Sequence, residues 1–91
     1  MMTRSTVFEH VKHAVSDRLN LDGATVNNIT RLTDIIKDLE ADDLDRAELI
    51  MDFEDAFGIQ IPEEDVIEKI EVPNFSVGNC VDYICKKLNI L

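Results

Sequence analysis

Ninety-one residues with a formal net charge of −10 and 45% apolar side chains describe one small folded domain spanning 1–91, too apolar for an acidic disordered tail. The charge is uneven: 34–71 hold 15 acids against Lys37, Arg46 and Lys69, whereas 1–33 and 72–91 each come to +1. This argues against nucleic acid and anionic membrane as direct partners, since both need a basic footprint, and favours a partner with a basic docking patch. The plainer reading is a solvated acidic surface that keeps a small protein soluble.

No apolar run approaches the ~20 residues that span a bilayer. The start, Met1 to Thr6, has no hydrophobic stretch after Arg4, so no secretory signal is visible and a cytoplasmic protein is expected. In chain order, 3–19 places Phe8, Val11, Val15 and Leu19 on one face of a first helix. Residues 20–37 are polar and irregular, a long loop with apolar anchors at Leu21, Val26, Ile29, Leu32, Ile35 and Ile36. A second helix is expected over 43–57, with Asp42 as N-cap, Asp45 in the capping-box position and Gly58 as the stop. Ile50, Phe53 and Phe57 form its inward stripe, with Leu49 beside them. Leu44, Ala47 and Met51 form a second strip rotated away from the first, among Asp42, Asp45, Glu48, Asp52 and Asp55. That strip either packs beneath the long loop or faces a partner. Pro62 pre-sets a brief third helix over 63–69. After a connector containing Pro73, Ser76 caps a last helix running to about Leu88, with Val77, Val81, Ile84 and Leu88 inward. The expected fold is all-α: a four-helix bundle with a short third helix and a long first loop.

No nucleophile is paired with a histidine, and no glycine-rich phosphate loop is present. His10 and His13 share a helix face without a metal-binding HExxH pattern, and Cys80 and Cys85 lack ligand companions, so core thiols are expected. Asp38, Glu40, Asp42, Asp43 and Asp45 do not make an EF-hand, because the central glycine is absent and Leu49 stands where the closing glutamate belongs. No metal site is assigned, although weak, non-structural cation binding stays open. Exposed acids lack the desolvation and electropositive donors that catalysis needs, so no enzyme is expected.

The run Asp38-Leu39-Glu40-Ala41-Asp42-Asp43-Leu44-Asp45-Arg46-Ala47-Glu48-Leu49 resembles the D-L-G-A-D-S-L-D-x-V-E-L signature of the bacterial acyl carrier protein family. The likeness continues from Ile50 to Asp65 and resumes from Val77 to Ile84. It implies a carrier that holds 4'-phosphopantetheine on the signature serine and presents thioester-bound acyl chains to biosynthetic enzymes. The position matching that serine is Asp43, whose carboxylate cannot form the phosphodiester, so no covalent arm is expected on this sequence. Glu40 stands where the family has glycine, Ala47 replaces the usual valine, and the stretch between Asp65 and Val77 is several residues longer.

The resemblance also implies partner-binding residues Asp42, Leu44, Asp45, Ala47, Glu48, Met51, Glu54 and Asp55. It further implies an interior around Leu49, Ile50, Phe53, Phe57, Ile61 and Tyr83, where the family shelters an acyl chain. The implied partners are fatty-acid or polyketide synthesis enzymes with basic patches, and a phosphopantetheinyl transferase if position 43 is natively serine. A monomer without membrane insertion is expected. Asp43 admits two origins: a substitution that locks a carrier against modification, or a native armless protein acting as an interaction or regulatory module through its acidic second helix.

Overall fold

A computed structural model describes residues 2–91; Met1 lies outside them. The side chain of Thr3 opens helix α1 (Arg4–Leu19) by accepting from the Thr6 N–H at 3.2 Å. Asn20 closes it in the left-handed region at φ 53°, which asparagine adopts more readily than most residues. The buried stripe of α1 is Val7, Val11 and Val15, whereas Phe8 and Leu19, expected inward, are only partly buried at the edge of the core. Valines repeated every four residues keep this face narrow, and both of the longest later helices pack on α1.

The long first loop is more ordered than expected. Asp22 accepts from the Thr25 N–H at 2.7 Å and caps a short helix, α2 (Gly23–Asn27), inside it. Beyond α2 the chain is stitched to Phe75 and to the first turn of the last helix. Ile35 N–H donates to the Phe75 carbonyl, Val77 N–H to Thr33 and Gly78 N–H to Arg31, each at 2.9 Å. The buried Asp34 holds the amides of Ile36 and Lys37 on one oxygen, both at 2.9 Å. This turn carries Ile29 and Ile35 into the core but leaves Leu32 and Ile36 exposed, so two of the expected anchors face outward.

Helix α3 (Asp43–Phe57) has the bounds its sequence signals. Asp42 accepts from the Asp45 N–H at 2.8 Å and Asp45 accepts from the Asp42 N–H at 3.1 Å, a reciprocal capping box. Gly58 ends the helix at φ 63°, a conformation that glycine takes without steric penalty. Leu49, Ile50 and Phe53 are buried, while Phe57 is half-buried against the ring of His10, centroids 5.9 Å apart.

Pro62 leads into α4 (Glu63–Asp65), which does not continue as the α-helix expected to residue 69. The chain widens into a π-helical turn over Val66–Ile70, which buries Val66 and Ile70 and leaves Ile67 exposed. The Val72–Pro73 peptide is cis. Ser76 then caps α5 (Val77–Lys87), accepting from the Asn79 N–H at 3.0 Å. The Asn79 side-chain amide reaches the carbonyls of Ile70, Val72 and Asn74 at 3.1, 3.0 and 2.7 Å, so one side chain gathers the whole preceding connector. The described residues form an all-α bundle with a Cα radius of gyration of 12.0 Å; the only extended pairing among them is a single bridge between Asp34 and Ser76.

Candidate functional site

The acidic potential gathers around α3, and its first turn is built by the capping box. With Asp42 and Asp45 committed to each other's amides, Asp43 is left pointing outward. Its side chain is 99% exposed, and its nearest cation is Arg46, at 3.6 Å one turn on. Carboxylates here oppose the positive end of the helix dipole favourably. Glu40, just before this turn, sits at φ 61°. The resemblance placed glycine at this position, and the backbone supplies the reason: a left-handed residue is needed to swing the chain into α3.

Along the outer face, Leu44 is 66% exposed, Met51 is 59% exposed and Ala47 between them is exposed as well. This strip does not pack beneath the long loop. The acids around it differ in what holds them. Glu48 and Asp52 are both gripped by Arg18 from the last turn of α1. Its Nε and Nη2 donate to the two oxygens of Asp52 at 2.9 and 2.8 Å, and its Nη1 donates to Glu48 at 2.8 Å. The hydrogen bond with Asp52 raises the pKa of the guanidinium, with the charges of Asp52 and Glu48 adding to it.

Glu54 is turned inward along the chain: one oxygen accepts from the Ile61 N–H at 2.8 Å and fixes the bend after Gly58. Asp55 is exposed. Arg46 leans away from the strip, its Nη1 3.1 Å from Glu71 Oε2 on the far connector. Neither the Arg18 fork nor the Glu54 tie is visible in local sequence, because each depends on a residue brought near by folding.

Of the residues assigned to the interior, Leu49, Ile50, Phe53, Ile61 and Tyr83 join one buried cluster, with Phe57 at its edge. The Tyr83 hydroxyl donates to Asp65 at 2.5 Å. Burial and then the Asp65 carboxylate push the phenol pKa up, while the same hydrogen bond pulls the Asp65 carboxyl below its usual range. Cys80 and Cys85 are buried free thiols, and burial pushes Cys80 far above the range in which a thiolate forms at neutral pH. Among the described residues no group of three or more metal-capable side chains comes together. None of the described helices is long and apolar enough to cross a membrane.

A family model described as "Phosphopantetheine attachment site" matches residues 9–74. An acyl carrier protein of Thermotoga maritima is 41% identical, over 97% of this chain and 99% of its own length. One from Lactobacillus johnsonii is 37% identical, over 91% of this chain and 94% of its own. One from Helicobacter acinonychis is 44% identical, over 86% of this chain and 90% of its own. Each likeness runs through the whole of α3 and its acidic surroundings.

Proposed function

The chain belongs to the acyl carrier protein family, and from that premise we propose that it is a non-catalytic carrier-type module working through the outer face of α3, with no arm on residue 43. Family members are carriers, not catalysts, and 4'-phosphopantetheine is the group the family attaches. The observation that carries the finer reading is Asp43: an outward-facing side chain at the first turn of α3, where the family's serine stands, with no hydroxyl to offer. A carboxylate cannot make the phosphodiester, so the residues present do not fit a covalently bound arm. Nor is there a substitute nearby. From 34 to 75 the sequence contains no serine, threonine or tyrosine, and Ser76 is buried and spent as a helix cap.

Partner binding then rests on the strip of Leu44, Ala47 and Met51, with Asp42, Asp43, Asp45, Glu48, Glu54 and Asp55 setting the surrounding potential. The fitting partner class is a fatty-acid or polyketide synthesis enzyme with a basic docking patch and an apolar centre. Incubation with coenzyme A and a phosphopantetheinyl transferase, read by intact mass, tests this. The chain as it stands should gain no mass, and Asp43→Ser should gain one phosphopantetheine. Modification of the Asp43 form would overturn the armless reading. An Asp43→Ser variant that folds yet stays unmodified would remove the claim that this helix start still recruits carrier enzymes.

A further inference from the structure

We propose that Arg18 is a specificity-determining residue: an internal guanidinium that covers Glu48 and Asp52 and that a docking arginine must displace. This rests on reading the outer face of α3 as the docking surface. Glu48 and Asp52 lie four residues apart on α3, where two like charges repel. Arg18 settles that repulsion with three hydrogen bonds of 2.8–2.9 Å, two of them in the forked pairing that suits a carboxylate. The geometry that a partner's arginine would use is therefore already occupied from within the chain.

The fork is not locked in place. The side chains of Arg18, Glu48 and Asp52 are about a third exposed, at 34, 35 and 29%. Side chains this open to water can exchange one ion-pair partner for another. An open groove between α1 and α3, lined by His13, Ala14, Asp17 and Ala56, gives the arginine room to swing aside. By contrast, Asp43 and Asp55 on the same helix have no such forked cover: Asp43 meets only Arg46, at 3.6 Å, and Asp55 is exposed. The fit is to a partner with at least one arginine placed to take over the fork, beside cations for Asp43 and Asp55. A partner whose cations meet only the covered pair binds against a competitor.

The test uses the full chain and a synthetic amphipathic helical peptide of leucine and arginine as probe, followed by calorimetry and backbone NMR at low salt. Arg18→Gln should bind about five-fold more tightly than the parent, the scale on which an exposed ion pair contributes. Amides of Glu48 and Asp52 should move more in the variant. The gain should vanish when Glu48→Gln and Asp52→Asn are added. Arg18→Lys, which keeps the charge but loses the fork, should fall between parent and Arg18→Gln, and circular dichroism should show each variant folded. Equal binding by parent and folded Arg18→Gln or Arg18→Lys would overturn the role of Arg18 while leaving the docking face intact. Absence of binding by all forms would overturn the docking reading itself, and the role of Arg18 with it.

Discussion

Helices α3 and α5 begin with the same chemistry and put it to different ends. Each has a polar N-cap accepting from the amide three residues on: Asp42 from Asp45 at 2.8 Å, Ser76 from Asn79 at 3.0 Å. Around the start of α5 the first-turn groups find their partners inside the protein. Gly78 lies against Arg31, Asn79 gathers three carbonyls, and Ser76 is buried. Around α3 the cap is satisfied internally but the side chains between its members, Asp43 and Leu44, are exposed. A cap therefore marks a helix start, and only its surroundings mark whether that start is structural or available to another molecule.

The largest effect expected from disturbing this contrast lies at α5. A Cβ on Gly78 would sit 2.9 Å from the Arg31 carbonyl oxygen, a backbone atom that cannot move without losing the stitched loop. Gly78→Ala should lower stability by about 2 kcal/mol, measured by urea unfolding. An unchanged midpoint would mean that the start of α5 is no tighter than that of α3. The capping change at α3 comes next. Asp42→Ala should cost about 1 kcal/mol and speed hydrogen exchange of the first-turn amides of α3, while the amides of α5 stay protected. Uniform acceleration across both helices would contradict the separation of the two starts.

Glu40→Gly should act in the opposite direction. It relieves a non-glycine residue at φ 61° but gives the unfolded chain more freedom, so a net gain of about 0.5 kcal/mol is expected. Thermal unfolding would register this as a small rise in Tm, and a fall would show that Glu40 makes a compensating contact. The smallest effect is electrostatic and belongs to α5. Asp82 is held below the usual carboxylate range by its hydrogen bond to Arg31, opposed by desolvation and reinforced by Arg4. A lowered folded pKa gives stability that is present above the unfolded value of about 3.9 and lost as pH falls through the folded one. Arg31→Gln should flatten the acid limb of a Tm–pH curve below about pH 4; an unchanged limb would locate the acid sensitivity elsewhere.

Much of the fold was legible because its signals are local. The capping box at Asp42 and Asp45, the stop at Gly58 and the cap at Ser76 each involve residues within a few positions. Local pattern misleads where several nearby apolar residues compete for one face. Val7, not Phe8, completed the stripe of α1, and Ile36 and Leu32 turned outward when Asp34 curled the loop. The π-helical turn after α4 was not legible, since its 66–70 sequence carries no signal that separates it from an α-helix. At the candidate site, the outward strip of Leu44, Ala47 and Met51 could be read from helical period, but whether it was covered could not.

By itself the sequence determined the order of the three longest helices, the acidic segment, the family signature and the aspartate at 43, because each is written in adjacent residue types. Tertiary structure alone decided which acids are free. Asp52 is held by Arg18 from 34 positions away, Glu54 by the amide of Ile61 after a turn, and Asp65 by Tyr83 from the last helix. A carboxylate's charge belongs to its residue, but its availability depends on which donors the packed helices bring within hydrogen-bonding distance, and those donors lie far along the chain.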